Sequence, residues 1–209
     1  MTQARLEALT DGIFAIVMTL LVLELKIPAL ANVPAIDDLP AILFNSLPAL
    51  LAYILAFAVL FTFWRAHNFI ISSFAKEADI WLSNINAIFL FFVGLVPFTS
   101  FILGRYSGSQ AAIVLFGGNV IAIGLTLYWL RQYAQVSPTI HTVRTDAAAH
   151  RRANIRILTP VVLAGLAILF SFYDTRLSFV LFTTAIAFNI FPTSMNLVSW
   201  GLDNFWRRL

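Results

Sequence analysis

Five charged side chains stand within one apolar segment near the start of the 209-residue chain. They are Arg5, Glu7, Asp11, Glu24 and Lys26, and the residues between them are rich in Leu, Ile and Val. Ionisable groups in an apolar segment are expensive unless they face a protein interior or water, and they mark ion or proton pathways in membrane proteins. The chemistry to expect of this segment is therefore the handling of ions.

The other polar residues do not form the patterns of an enzyme or a metal centre. His67, His141 and His150 lack the spacing with carboxylates that metal ligands need, and the chain has no cysteine. No serine lies in a nucleophile elbow, and no glycine-rich phosphate loop is present. We therefore predict no enzymatic activity, no metal site and no cofactor. The basic residues are spread along the chain, which argues against a nucleic-acid partner.

The composition requires that most of the chain lies in lipid. Hydrophobic residues make up 60% of the sequence and charged residues 11%, whereas about a quarter of an average soluble domain is charged. Long unbroken apolar runs predict helices, because the strands of a membrane barrel alternate in polarity. We predict an all-α, polytopic membrane protein that forms a single domain, residues 1–209, with six transmembrane helices. The predicted spans are 4–27, 40–65, 79–104, 107–131, 156–173 and 176–201, with a cytoplasmic loop over 132–155.

The distribution of Lys and Arg predicts that both termini are cytoplasmic. With six spans and the N-terminus inside, only Lys26, Arg105 and Arg176 of the 13 basic residues lie outside. This is a strong positive-inside bias. The first span is inferred from this bias, because only residues 12–23 of it are free of charge and omitting it leaves Arg5 on the side opposite to 65–79 and 131–156. No cleavable signal is recognisable, which favours a bacterial plasma membrane.

The first span places several of its residues in one stripe. At 100° per residue, the stripe contains Arg5, Gly12, Ile16, Leu20 and Leu23. Thr19 lies at its edge and Asp11 points about 140° away from Ile16. Two interpretations stay open. The stripe is an ordinary packing surface, or copies of this helix surround an axis and the three aliphatic residues form apolar rings that control ion passage.

The motif at the start of this span resembles a known family. The transmembrane-protein-175 potassium channels carry Arg, three residues, and then Phe-Ser-Asp-Gly, and this chain keeps Arg5, Asp11 and Gly12 but has Leu9 and Thr10 instead. The resemblance extends over Phe14-Ala15-Ile16 and over the residues from Thr19 to Pro28. Further similar features are Phe63-Trp64-Arg65-Ala66-His67 in the second span, and Asn84 or Asn86 with Leu90 and Pro97-Phe98 in the third. The second half of the chain is similar only in hydropathy and length.

The resemblance implies a channel selective for potassium over sodium, built as a homotetramer of six-helix subunits whose first helices line the pore. It implies that Ile16 forms the narrowest ring, that Leu20 and Leu23 form two more, and that Thr19 lies beside this filter. Potassium ions, membrane lipids and further copies of the chain are the implied partners.

The remaining polar residues of the first two spans admit more than one role. We expect a polar network on the cytoplasmic side formed by Arg5, Asp11, Trp64 and His67. His67 is either a pH sensor or a structural hydrogen-bond partner. The alternative function is a proton-coupled secondary transporter in which Asp11, Glu24 and His67 relay protons, and a purely structural membrane protein is the third hypothesis.

Overall fold

The chain folds into α-helices throughout the part that the structure describes. The structure is a computed structural model and describes residues 2–25, 39–74, 79–137 and 147–190. Within these ranges there are eight helices and no β-strand, which confirms the predicted all-α class. The helices are α1 Gln3–Leu23, α2 Leu39–Asn45, α3 Leu47–Phe74, α4 Ile80–Gly94, α5 Val96–Arg105, α6 Gln110–Val136, α7 Ala147–Ser171 and α8 Thr175–Ile190.

Two pairs of helices are rods interrupted for one residue beside a proline. Ser46 separates α2 from α3, which has Pro48 as its second residue, and Leu95 separates α4 from α5, which has Pro97 as its second residue. Proline has no N–H to donate and disrupts the helix before it. At the second interruption, Nδ2 of Asn119 donates to the carbonyl oxygen of Phe92 at 3.2 Å. Helix α6 thus supplies a donor where the α4–α5 ladder is broken.

Four stretches of the described chain are long and apolar enough to cross a membrane. They are Gln3–Leu23, Leu47–Ser72, Ile80–Arg105 and Gln110–Val136. The apolar part of α7, Ile157–Ser171, is shorter. The predicted last span, 176–201, begins in α8 and continues outside the described residues.

Several helices are longer than the predicted spans. α3 has 28 residues and α6 has 27, which at 1.5 Å per residue is about 40 Å, whereas the hydrocarbon layer is about 30 Å thick. The predicted loop 132–155 is helical over 132–136 and over 147–155. The apolar runs mark the part of each helix that lies in lipid. The helices continue past it because backbone hydrogen bonds within a helix do not depend on the surroundings.

Helix α1 lies on one side of the bundle and packs against α3, α4 and α5. Its buried face consists of Leu6, Thr10, Phe14, Val17 and Leu21, which recur every three or four residues as a single helical face. Phe14 contacts Phe89 of α4 with 5.9 Å between ring centroids. One face of α1 is thus fixed by the bundle, and the opposite face is left outside it.

Candidate functional site

The predicted stripe of α1 lies on the face that the bundle leaves exposed. Ile16, Leu20 and Leu23 are 59%, 42% and 64% exposed, and Arg5 and Gly12 are exposed as well. By helical phase, Ile16 points about 160° away from the buried Phe14. The packing of α1 within its own chain therefore does not use these three aliphatic side chains.

One flank of the stripe is lined by small residues. Ala4, Ala8 and Ala15 are exposed and lie about 80–120° from Ile16 around the helix. Small residues let the backbones of two membrane helices approach closely. The exposed half of α1 therefore has a bulky aliphatic centre beside a flank on which another helix can pack.

The hydroxyl of Thr19 is bonded to its own helix. Its Oγ1 lies 2.9 Å from the carbonyl oxygen of Ala15 and 2.8 Å from that of Ile16. A hydroxyl has one proton, which these two carbonyls share, and its oxygen keeps lone pairs that can accept or face a cation. Thr19 thus presents an oxygen at the edge of the exposed stripe.

Asp11 and Trp64 join α1 to α3. The indole Nε1 of Trp64 donates to Oδ1 of Asp11 at 2.8 Å. A hydrogen bond to a carboxylate is stronger than one between neutral groups. Two of the predicted polar residues thus meet, and their bond holds the side of α1 that borders its exposed face.

His67 belongs to a second, fully buried connection. Its Nε2 lies 2.8 Å from Oδ1 of Asn86, and Nδ2 of Asn86 donates to Oγ1 of Thr10 at 3.2 Å. Because an amide oxygen only accepts, Nε2 carries the proton in this arrangement. The imidazole ring also stacks on Phe89, with 5.3 Å between centroids. Asn86 of α4 thereby links α3 to α1.

The structure divides the four predicted polar residues among three places and does not join them in one network. Asp11 with Trp64 and His67 with Asn86 form two connections, and within the described residues the side chain of Arg5 makes no hydrogen bond. Thr10 and Asn86 contribute to the buried connection without having been predicted as site residues. For Thr10 the signal was its spacing from Phe14, which places both on the buried face of α1.

A polar cavity borders the C-terminal end of α1. It has a volume of about 180 Å³ and lies between the end of α1, the α2–α3 junction and the end of α5. Its polar lining includes Glu24, Asn45, Tyr53, Ser100 and Arg105. Across the part of the chain that the structure describes, no group of His, Cys, Asp and Glu has the composition of a metal site.

Comparison with known proteins identifies the family. Residues 5–97 match the family model described as the endosomal/lysosomal potassium channel TMEM175. A protein of Streptomyces collinus named as a potassium channel is 30% identical over 162 residues, which are 74% of this chain and 75% of that protein. The chain belongs to the TMEM175 family. A potassium channel of Chamaesiphon minutus is also 30% identical, over 68% of this chain and 70% of its own length.

The fold agrees with this membership. The crystal structure of a Chamaesiphon minutus homologue of the lysosomal potassium-selective channel TMEM175 has a TM-score of 0.74 and 25% identity to this chain. The match covers 90% of this chain and 95% of that one. The human relative carries a different ion in its name, endosomal/lysosomal proton channel TMEM175, and is 24% identical over 95% of this chain and 39% of its own length.

Membership in TMEM175 confirms the predicted resemblance and gives the general class of the protein. It is an integral membrane protein of an ion-channel family and not of an enzyme family. The segment matched by the family model, 5–97, contains α1 from its third residue onward and the whole of α2, α3 and α4. It therefore includes the exposed stripe and both polar connections that hold α1 in place.

Proposed function

We propose that this TMEM175 protein is a channel selective for potassium over sodium, in which four copies of α1 surround the pore. The observation that carries the proposal is the exposed stripe of Ile16, Leu20 and Leu23 on a helix whose other face is packed against α3, α4 and α5. In a ring of four subunits, each of these residues forms one layer of a constriction. The naming of the Streptomyces collinus and Chamaesiphon minutus relatives as potassium channels supports the same ion.

The proposed filter discriminates through dehydration. Ile16 and Leu23 are separated by seven residues, or roughly 10 Å along the helix. Aliphatic rings offer no oxygen atoms to replace the hydration shell of an ion, and hydrophobic constrictions control permeation through water. Potassium sheds water more readily than sodium and so passes a narrow apolar neck at a lower cost. The oxygen of Thr19, beside the rings, is the one side-chain oxygen that the proposal places next to them.

The proposed subunit crosses the membrane six times with both termini in the cytoplasm. The described helices group into six rods, because α2 with α3 and α4 with α5 are each interrupted for one residue. Six crossings bring the Arg-rich segments to one side, as the positive-inside rule requires. We further propose that the protein resides in a bacterial plasma membrane as a homotetramer.

Arg5, Asp11, Trp64 and His67 support the pore helix in this proposal. The Asp11–Trp64 bond and the His67–Asn86–Thr10 connection attach α1 to α3 and α4 at two points. An exposed helix face that bears a filter needs a rigid opposite face. Of the two roles considered for His67, its complete burial and its place away from the stripe favour the structural one.

A second candidate is a proton-coupled transporter. Proton movement is favoured by the name of the vertebrate relatives, which are called proton channels. Asp11 of α1 and Glu24 at its C-cap are the acidic groups that such a relay would use. The two candidates differ in kinetics, because a carrier saturates and couples its ions whereas a channel conducts electrodiffusively.

Flux from proteoliposomes distinguishes these functions. Vesicles with potassium inside and sodium outside are prepared with the purified protein, and membrane potential and internal pH are followed with separate dyes. The proposal predicts a rapid inside-negative potential that needs no pH gradient and collapses when sodium outside is replaced by potassium. Saturable potassium movement coupled to a stoichiometric pH change would instead support the transporter. Protein-free vesicles are the control.

A further inference from the structure

A groove lies on the bundle away from the exposed stripe of α1. Its volume is about 450 Å³, within the range of small-molecule sites, and it is formed by the α2–α3 junction, the turn between α5 and α6, and the start of α8. Its apolar lining comes from Phe44, Leu47, Leu51, Phe179 and Val180. Phe44 and Val180 are 75% and 58% exposed. The groove is thus an open apolar slot on the side of a membrane protein.

The rim of this groove lies where helices end. α5 ends at Arg105, α6 begins at Gln110 and α8 begins at Thr175. The polar side chains that line the groove are those of Ser107 and Arg176, and both lie in or next to these ends. Arginine near the end of a membrane helix extends to the level of the lipid headgroups. The polar rim therefore faces headgroups while the apolar slot faces acyl chains.

The charge of the rim selects an anion. Arg176 is the charged residue among those described as lining the groove. The nearest acid along the chain, Asp174, uses Oδ1 to accept the backbone N–H groups of Arg176 and Leu177 at 2.7 and 3.3 Å, and so caps α8. The planar guanidinium of arginine matches the geometry of a phosphate group. An apolar slot that ends at such a cation has the chemistry of a site for a negatively charged phospholipid.

We propose that this groove binds one anionic phospholipid, with its phosphate on Arg176 and an acyl chain along the apolar wall. Pro48 and Ser107 line both this groove and the polar cavity beside Glu24 of α1. The bound lipid therefore contacts the same α2–α3 junction that borders the end of α1. An anionic lipid at this position stabilises the junction against which α1 ends.

Lipid-dependent stability of the purified full-length assembly tests the site. The melting temperature in detergent is measured with added phosphatidylglycerol and with added phosphatidylcholine. We expect the anionic lipid to stabilise more, and Arg176→Gln to remove at least half of the difference. Arg65→Gln is the matched control, because Arg65 is an exposed arginine about 27 Å from Leu47 along α3, and it should keep the full difference. Equal stabilisation by both lipids, or a full effect in Arg176→Gln, overturns the proposal.

Two variants at Val180 test the occupant. Val180→Trp fills the slot and leaves Arg176 in place, so we expect fewer phosphatidylglycerol molecules bound in native mass spectra; unchanged binding contradicts the acyl-chain site. Because the chain has no cysteine, Val180→Cys gives a single thiol. Disulfide-linked dimers on oxidation would mean that a second copy covers the groove, which overturns the proposal, and monomeric chains support it. These readouts do not involve ion conduction, so they are independent of the proposed channel function.

Discussion

Ile16, Leu20 and Leu23 carry no polar atom, yet the chain leaves them exposed on the helix that also carries Arg5 and Asp11. The polar residues of α1 are instead used to hold it in place, as the 2.8 Å bond from Trp64 to Asp11 shows. At the scale of single residues, hydrophobic side chains are available to the proposed permeation path, and polar side chains secure the helix that bears them.

The buried amide of Asn86 gives a prediction at this scale. Asn86→Ala removes the partner of both His67 Nε2 and Thr10 Oγ1, and leaves two polar groups buried without hydrogen bonds. We expect the folded protein to lose about 2–3 kcal/mol of stability, measured by denaturant unfolding in detergent. Asn84→Ala is the matched control, because Asn84 is exposed two residues earlier on α4, and its effect should stay below about 0.5 kcal/mol. A similar loss of stability in both variants would show that the His67–Asn86–Thr10 connection does not stabilise the fold.

The sequence could predict the stripe of α1 but not the partner of His67. A fixed rotation of 100° per residue decides which side chains share a helical face, so Ile16, Leu20 and Leu23 follow directly. The choice between Asn84 and Asn86 depends on how α4 is rotated against α1 and α3. That rotation is set by packing between helices, and it cannot be derived from the spacing of residues within one helix.

At the scale of elements, α6 and α7 pack closely because two glycines of α6 face α7. A Cβ atom at Gly117 would lie 3.0 Å from Ile168, and one at Gly124 would overlap the side chain of Val161. The two glycines are seven residues apart and therefore share a face. Close contact of helix backbones through small residues is typical of membrane proteins.

This contact gives a prediction for the α6–α7 pair. Gly124→Ala forces Val161 aside, and we expect it to destabilise the protein by about 1–3 kcal/mol through overpacking. Gly118→Ala has open space around its new methyl group and removes a poor helix former, so it should be neutral or stabilising. Thermal unfolding in detergent compares the two variants. Equal stability of the two variants would show that α6 and α7 accommodate the added methyl group without cost, which contradicts the prediction.

At this scale, the positions at which the helices end could not be predicted from the sequence. Charge-free runs predicted spans to 65 and 131, whereas α3 continues to Phe74 and α6 to Val136. Hydropathy records where lipid ends, and it carries no information on how far a helix continues into water. Proline does mark where two of the rods are interrupted. Ser46 and Leu95, the interrupting residues, each lie two residues before a proline, Pro48 or Pro97.

At the scale of the whole molecule, a single chain has only one α1 and cannot enclose a pore. In the proposed channel, further copies of the chain cover the exposed aliphatic stripe and the alanine flank beside it, and a closed ring does so with one repeated contact. The proposed tetramer predicts a native mass of four 23.3 kDa chains for the protein extracted in mild detergent. Native mass spectrometry measures it. A stable dimer as the largest species would contradict a fourfold pore.

We propose that the exposed stripe of α1 is the selectivity filter, and Ile16→Asn is the sharpest test of that role. The reversal potential is recorded in planar bilayers with potassium on one side and sodium on the other, for the wild type, for Ile16→Asn and for Ile88→Asn. Ile88 is the matched control, because it is a 42% exposed isoleucine that lies on α4 and outside the stripe. We expect Ile16→Asn still to conduct while its reversal potential moves toward zero, and Ile88→Asn to behave as the wild type. An unchanged reversal potential in a conducting Ile16→Asn channel would show that Ile16 does not select the ion.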